Sequence, residues 1–393
     1  MSMRIPISKP YFGEEERAAI VQPLETGWVV QGPKVAEFER LFGAYAGSPN
    51  AVATSSCTTA LHLSLVALGI RPGDEVIVPS FTWVATANAV EMVGARPVFV
   101  DIELDTFNID PERVEAAVTD RTRAVIPVSL FGVSAPIDPI MQIAKRHRLK
   151  VVEDAACAVG SWYHGRHAGT VADVGCFSFH PRKAITTGEG GMIITADAEL
   201  TQAARSLRDH GASRSDLTRH LGPRSYVLPE FEHVGYNYRM TDIQGALGVA
   251  QMARLEAILE LRTQRAGVYD RWIKDVDWLT PQVLPKSCRH GYQSYVCLFR
   301  PEEPTLANVE ELHRRRNELM DLLEAAGIAT RPGTHAVHTL GFYRRKYGIQ
   351  PEDLPNSLIA DRLTIALPLY AQMTEVEQEY VIEHLTTAPA KAL

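Results

Sequence analysis

The sequence lacks paired cysteines, an excess of basic residues and long apolar runs. Its five cysteines, an odd number without paired spacing, argue against a disulfide framework and favour a reducing compartment. A formal net charge of −7 argues against a nucleic-acid-binding protein, because such proteins usually present a basic face. No apolar stretch approaches the roughly 20 residues of a membrane helix, and the N-terminus has no signal-like apolar core. We therefore expect a cytoplasmic protein without nucleic-acid or membrane partners.

A metal-binding pattern is also missing. His164 and His167 lie close together, but Gly165 between them and Gly169 after them predict a surface turn. Neither a cysteine pair nor a third ligand at suitable spacing accompanies the two histidines. We predict that the protein uses no metal.

At 393 residues, the chain is longer than one ordinary domain. Between residues 51 and 152, strand-like and helix-like segments alternate, which predicts a parallel sheet covered by helices on both faces. From about residue 262 the pattern becomes a mixture of strand-like and helical segments. We therefore predict a large domain over residues 1–261 and a smaller α+β domain over residues 262–393.

Asp154 and Lys183 each follow a short strand-like run. Asp154 comes after residues 150–152, which places a carboxylate at the C-terminal end of a buried strand, where open α/β sheets build their ligand crevices. Lys183 comes after residues 175–179 and before the glycine-rich run 188–191. The two side chains are therefore candidates for one common site.

Their pairing suggests the chemistry of pyridoxal phosphate (PLP). A lysine can form a Schiff base with this cofactor, and a strand-end aspartate can keep the pyridine nitrogen protonated so that the ring accepts electrons. Taken singly, such a lysine is more often solvated and such an aspartate more often a helix cap or an ion partner. Their placement together with Ser178, His180 and a Gly-Glu-Gly-Gly turn favours the catalytic interpretation.

A second feature is the junction after the strand-like run 51–54. The small hydroxylated residues Ser56, Thr58 and Thr59 lead directly into a helical run. The free N–H groups and the positive end of such a helix form a natural cradle for a phosphate. From this segment alone, however, a plain helix cap at Ser56 or Thr58 is the better interpretation.

Two strings resemble a known family. EDAACAVG (residues 153–160) and SFHPRKAITTGEGGMI (residues 178–193) are similar to the DegT/StrS-type sugar aminotransferases, which are fold-type I PLP enzymes. The resemblance covers nearly the whole chain. It implies an α/β large domain with a mostly parallel sheet between helices, a smaller α+β C-terminal domain, and PLP or its aminated form as the cofactor.

By position, the resemblance implies roles for individual residues. Lys183 is implied to form the Schiff base and move the proton, and Asp154 to pair with the ring nitrogen. Trp83 is implied to stack on the ring, where an aromatic contact contributes about 0.5–1.5 kcal/mol beyond burial. The residues implied to anchor the phosphate within the same chain are Thr58, Thr59 and Ser178.

Two further positions carry particular expectations. The resemblance implies that Asn237 reaches the cofactor phosphate of a partner subunit, so that a homodimer with active sites at its interface follows; a plain turn asparagine is the alternative. Cys157 stands close to the cofactor's 3′ oxygen, where the family commonly has glutamine, histidine or glutamate. A thiol is a poor donor, so we expect that hydrogen bond to be lost or supplied elsewhere. The candidates for substrate contact are Trp28, His180, Glu189, Arg239, Arg331 and His338.

The implied reaction moves an amino group from an amino acid, with L-glutamate expected, to a 4-keto or 3-keto deoxysugar on a nucleotide. Aminotransfer from glutamine to a cyclitol ketone stays open at this stage. A sugar dehydratase is a weaker alternative, because that branch of the family replaces the Schiff-base lysine with histidine, whereas this chain has Lys183. A non-catalytic PLP-binding regulator is another, although it would need neither Lys183 nor Asp154.

Overall fold

A computed structural model describes residues 3–387, apart from the side chain of Asp216, so the last six residues of the predicted second domain lie outside it. The strands are β1 Asn50–Thr54, β2 Glu75–Pro79, β3 Phe81–Thr82, β4 Arg96–Val100, β5 Thr122–Val125, β6 Lys150–Asp154, β7 Trp162–Tyr163, β8 Arg166–His167, β9 Val174–Ser178, β10 Gly191–Thr195, β11 Leu279–Pro281, β12 Cys288–Arg289, β13 Tyr295–Phe299, β14 His335–Ala336 and β15 Thr364–Leu367. The helices are α1 Glu14–Thr26, α2 Pro33–Ala46, α3 Cys57–Ala67, α4 Ala85–Met92, α5 Pro111–Ala116, α6 Ile137–His147, α7 Ala198–Arg208, α8 Asp216–Leu221, α9 Asp242–Trp272, α10 Val309–Ala325, α11 Gly341–Tyr347, α12 Pro355–Leu363 and α13 Glu375–Thr387.

The largest sheet confirms the predicted α/β class. Its seven strands lie in the order β1-β10-β9-β6-β5-β2-β4. The pairs β2–β4, β2–β5, β5–β6 and β6–β9 are parallel, whereas β10 runs antiparallel to both β1 and β9. Six strands therefore point the same way and end at one edge of the sheet, and β10 begins at that edge.

Apolar strands explain why helices cover both faces of this sheet. Strands β2, β9 and β10 are buried along their whole length, as is typical of strands between two helical layers. Alternate residues of each strand point to opposite faces. One face packs against α3, α4 and α7 through residues such as Val76, Val78 and Val152, and the other packs against α2, α5, α6 and α9 through residues such as Ile77, Val151 and Phe177.

The C-terminal part contains a second, antiparallel sheet of the order β11-β13-β15. Its apolar core also takes in Ile5 from the start of the chain, whose N–H donates to the Gly327 carbonyl at 2.8 Å. Helix α9 runs without interruption through the predicted boundary at residue 261, so the division of the chain there stays a prediction. Among residues 3–387, no helix combines the length and apolarity needed to cross a membrane.

Gly191, the first residue of β10, lets this strand approach the start of α3. A Cβ atom at this position would lie 2.4 Å from the carbonyl of Ser56 and 2.7 Å from the amide nitrogen of Cys57. Both neighbours are backbone atoms, which cannot rotate away as a flexible side chain can. The absence of a side chain at residue 191 is therefore what allows the loop after β1 to lie against β10.

We predict that Gly191→Ala lowers the free energy of unfolding by about 1–3 kcal/mol, the usual cost of overpacking. Because the clash falls on the backbone before α3, the variant should also bind an anion at this helix end more weakly. Gly267→Ala on α9 is the matched control, since its nearest neighbour would be the Arg271 guanidinium at 3.8 Å. It should be neutral or stabilising by up to ~1 kcal/mol. Urea unfolding of both variants checks this, and equal stability would contradict it.

Candidate active site

The chain segments that follow the strand ends enclose one pocket. The pocket is lined by residues at or after the ends of β1, β3, β6 and β9 and by residues 293–294 and 331–335 of the C-terminal part. The volume is about 520 Å³, within the usual range for small-molecule sites. The pocket therefore lies at the carboxyl edge of a mostly parallel sheet, where such folds bind ligands.

Asp154 is the last residue of β6 and is only 5% exposed. Its backbone is fixed on both sides, because its N–H donates to the Pro127 carbonyl at 2.9 Å and its own carbonyl accepts from Ser129 at 3.0 Å. The carboxylate accepts hydrogen bonds from the Thr86 hydroxyl at 2.8 Å and from the Ala156 N–H at 3.2 Å. The side chain is thus held rigidly in the pocket wall.

Burial raises the pKa of Asp154 above its ordinary value, because the charged form loses its hydration. The hydrogen bonds from Thr86 and Ala156 and the charge of Lys183 act in the opposite direction without cancelling the effect. Among the described residues, no basic group lies within ion-pair distance of this carboxylate. A buried negative charge of this kind favours a cationic ligand group beside it.

Lys183 lies in the turn between β9 and β10. Its N–H donates to the His180 carbonyl at 2.8 Å, and its amine donates to the Cys157 sulfur at 3.1 Å. Burial alone would lower the pKa of Lys183, but Cys157, Cys57 and Asp154 outweigh burial, so the net shift is upward. The lysine predicted as the Schiff-base residue and the predicted aspartate therefore line the same pocket.

The start of α3 supplies a candidate anion site. Ser56 caps the helix: its hydroxyl accepts from the Thr59 N–H at 3.2 Å, and the Thr59 hydroxyl accepts from the Ser56 N–H at 3.0 Å. Ser56, Cys57 and Thr58 line the pocket, whereas Thr59 does not. The Thr59 hydroxyl serves the helix cap, and its predicted contact with the phosphate stays a prediction. Ser178, at the end of β9, also lines the pocket.

Several of the predicted substrate residues lie at this pocket. His180, Glu189 and Arg331 line it, as do Cys157 and Trp83. Trp83 is 61% exposed at the rim, with its ring 6.0 Å from that of His335, another residue of the pocket wall. The indole face is therefore available to a ligand from the open side.

Three predicted substrate residues lie outside the pocket of their own chain. His338 is completely buried, with one ring nitrogen on the Ser80 hydroxyl and the other 3.1 Å from the Pro351 carbonyl, so its prediction is corrected. Arg239 pairs with Asp209 at 2.6 Å. Trp28 donates its indole N–H to the Gln31 carbonyl at 3.3 Å and packs edge-on against His220.

Asn237 is exposed and also lies outside its own chain's pocket. It forms an isolated bridge with Asp209, a residue that follows α7. Unlike the side chain of His338, which is buried between two hydrogen-bond partners, the side chain of Asn237 is accessible to a second molecule.

Two contacts of the site could not be read from the sequence. Thr86 lies in the first turn of α4 and binds Asp154, and the Cys57 thiol lies 4.0 Å from the same carboxylate. Neither residue belongs to a distinctive sequence pattern, because each is one small side chain in an ordinary helix. Their proximity to Asp154 arises only when α3 and α4 pack on one face of the sheet.

The residues present fit PLP. The cofactor combines an aldehyde, a pyridine nitrogen and a phosphate. The pocket offers a lysine amine, a helix N-terminus with hydroxyl groups beside it, and a buried carboxylate that has no cationic partner within ion-pair distance among residues 3–387. Each group of the cofactor thus has a chemically matched partner at the pocket.

Comparisons with known proteins support this fit. The model of the DegT/DnrJ/EryC1/StrS aminotransferase family matches residues 10–386. The chain is 38% identical to the spore coat polysaccharide biosynthesis protein SpsC of Bacillus subtilis, covering 96% of this chain and 95% of that protein. It is also 38% identical to GDP-perosamine synthase of Caulobacter vibrioides, covering 97% of each chain.

Solved structures give the same result. The putative sugar aminotransferase Spr1654 of Streptococcus pneumoniae, in its PMP form, superposes with a TM-score of 0.91 at 30% identity, covering 99% of this chain and all of the other. Helicobacter pylori PseC, an aminotransferase of pseudoaminic acid biosynthesis, has a TM-score of 0.88 at 26% identity, covering 98% of each chain. The chain therefore belongs to the DegT/DnrJ/EryC1/StrS aminotransferase family and is a PLP-dependent sugar aminotransferase.

Proposed function

We propose that this enzyme transfers the amino group of L-glutamate to the keto group, at C4 or C3, of a deoxysugar carried on a nucleotide. The observation that carries the proposal is the presence of Lys183 and Asp154 in one pocket that is also lined by basic side chains. Family membership supports the transfer reaction, and the similarity to GDP-perosamine synthase supports a nucleotide-linked substrate.

Asp154 has the task of stabilising positive charge. When bound, PLP supplies an electron sink for the negative charge that develops at the donor's α-carbon. An ionised Asp154 would favour a proton on the ring nitrogen, and the Thr86 hydroxyl helps because it donates to the charged form of the carboxylate. Protonation of Asp154 at low pH would remove this support.

Lys183 has two tasks in turn. Its amine would hold the cofactor covalently in the resting enzyme. As a free, neutral amine, Lys183 would act as the general base that removes the proton from the donor's α-carbon. The turn closed by the His180 carbonyl keeps Lys183 at the pocket, so the amine need not travel far between these tasks.

We assign the cofactor phosphate and the sugar nucleotide to different parts of the pocket. We assign the cofactor phosphate to the N-terminus of α3, with Thr58 and Ser178 beside it. The basic side chains of the pocket lining suit the anionic carrier of the sugar, and the exposed Trp83 offers a flat surface for a ring. The basic residues that line this pocket besides Lys183 are His180, Arg182, Arg331 and His335.

We also propose that the active enzyme is a cytoplasmic homodimer in which Asn237 reaches the partner's cofactor phosphate. Five large apolar side chains are exposed in the segment that precedes Asn237: Leu221, Tyr226, Leu228, Phe231 and Val234. Large apolar side chains exposed along one short segment favour an interaction surface there. A second copy that covers this segment would lie next to Asn237, which follows it in the chain.

The first test is the donor half-reaction. L-Glutamate should be converted to 2-oxoglutarate with loss of the visible absorbance of the bound cofactor, and Lys183→Ala should slow this by about 10²- to 10⁴-fold, the contribution of a positioned general acid–base group. Lys274→Ala, an exposed lysine far along the chain, is the control and should behave like wild type. Unchanged turnover in Lys183→Ala would refute the assignment.

The acceptor is then identified by incubation of the aminated enzyme with nucleotide-linked 4-keto sugars, 3-keto sugars and cyclitol ketones. Mass spectrometry of the products should show an amino sugar still attached to its nucleotide. Amination of the cyclitol ketones alone would overturn the nucleotide-sugar proposal while leaving the donor half-reaction intact.

The dimer predicts complementation between inactive subunits. Lys183→Ala and Asn237→Asp should each be nearly inactive, the second because its carboxylate would repel a phosphate. Random mixing should then restore about a quarter of wild-type activity, since half of the dimers are mixed and each has one intact site. A mixture of Lys183→Ala with Asp154→Asn is the control and should stay inactive, because those residues line one chain's pocket. No recovery in the first mixture would place Asn237 in its own chain's site.

A further inference from the structure

Cys157 is the hydrogen-bond partner of the Lys183 amine. The amine nitrogen and the sulfur are 3.1 Å apart, and both side chains line the pocket. Among the described residues, Lys183 has no other hydrogen bond through its side chain. The nucleophile of the proposed reaction therefore lies in direct contact with a thiol that solvent in the pocket can reach.

The other four cysteines lack this combination. Cys57, Cys176 and Cys297 are buried, and burial raises the pKa of each thiol, which disfavours the reactive thiolate. Cys288 is partly exposed, but it lies in β12 away from the pocket, and burial raises its pKa as well. Of the five cysteines, Cys157 is the one whose sulfur accepts a hydrogen bond from a lysine amine, that of Lys183 at 3.1 Å.

We propose that Cys157 and Lys183 form an oxidation-sensitive pair that a peroxide converts into a covalent sulfur–nitrogen link. This is a modification site within the active site, distinct from the transfer reaction. Its effect on activity rests on the proposed function of Lys183, because the link would occupy the amine that holds the cofactor. The formation of the link itself does not depend on that function.

The chemistry takes two balanced steps. In the first, the Cys157 thiol attacks hydrogen peroxide: the O–O bond breaks, the sulfur is oxidised to sulfenic acid, and water leaves. In the second, the neutral Lys183 amine attacks that sulfur: the S–N bond forms, the S–O bond breaks, and a second water leaves with a proton of the amine. The product is lighter than the starting pair by two hydrogen atoms.

A thiol reductant reverses the link. One thiol attacks the sulfur of the S–N bond, so that the Lys183 amine leaves with a proton and a mixed disulfide remains on Cys157. A second thiol then releases the free Cys157 thiol and a disulfide of the reductant. The pair would thus return to its starting state, in contrast to oxidation to sulfinic or sulfonic acid.

The state of the cofactor decides whether the link can form. When PLP is covalently held, the Lys183 amine is occupied and cannot attack the oxidised sulfur. When the cofactor is aminated or absent, the amine is free beside Cys157. We therefore expect peroxide to block covalent PLP uptake by the enzyme that lacks PLP and to leave Lys183 unlinked in the PLP-loaded enzyme.

The test treats the full chain with hydrogen peroxide, with and without PLP, and maps the peptides by mass spectrometry. Without PLP, the peptides containing Cys157 and Lys183 should appear joined, lighter by two hydrogen atoms, and the protein should lose covalent PLP uptake until dithiothreitol is added. Cys288→Ser should respond in the same way. Cys157→Ser should form no link and should keep its own untreated level of PLP uptake after peroxide.

Two outcomes would overturn the inference: peroxide that leaves both residues unlinked, or that converts Cys157 only to sulfinic or sulfonic acid. Because the joined peptide is read directly in the wild-type chain, the result does not depend on how well Cys157→Ser folds. A missing link in a protein that still captures PLP at Lys183 refutes the inference alone. Failure to capture PLP at Lys183 before any peroxide refutes the proposed function instead.

Discussion

The site depends on one constraint: within the described part of the chain, the buried carboxylate of Asp154 has no basic group at ion-pair distance. Asp154 closes β6 inside the pocket wall, and removal of an ionised carboxylate from water costs several kcal/mol unless other groups compensate. The Thr86 hydroxyl and one backbone N–H compensate only in part, because burial still raises the pKa of Asp154. A protonated pyridine nitrogen beside Asp154 would complete the compensation, which would favour binding of the charged form of the cofactor.

The other groups of the site lie near this carboxylate because the strands that precede them end at the same edge of one sheet. Parallel strands end side by side, so the residues after β1 and β9 arrive beside Asp154 although they are far apart in the chain. Strand β10 runs the other way, and Gly191 at its start leaves room for the backbone that leads into α3. The same edge therefore carries the turn that contains Lys183, the N-terminus of α3 and the carboxylate of Asp154.

The architecture and the central pair could be predicted because they follow from local patterns. Apolar runs ending in Asp154 or before Lys183 indicate strand ends, and strand ends of a parallel sheet converge. The burial of His338 could not be predicted this way. Its position in the chain, just after residues that line the pocket, does not show that Ser80 and Pro351 enclose it from other parts of the fold. The contact between Thr86 and Asp154 could not be predicted either, because it depends on helix packing that leaves no periodic pattern in the sequence.

The central claim is that Asp154 and Lys183 hold opposite sides of one PLP ring. It is tested most directly by nitrogen NMR of the enzyme loaded with PLP carrying ¹⁵N in its ring. The account predicts a protonated ring nitrogen in the wild-type enzyme at neutral pH and an unprotonated one in Asp154→Asn. A ring nitrogen that is unprotonated in the wild type, or whose signal is the same in both proteins, would contradict it.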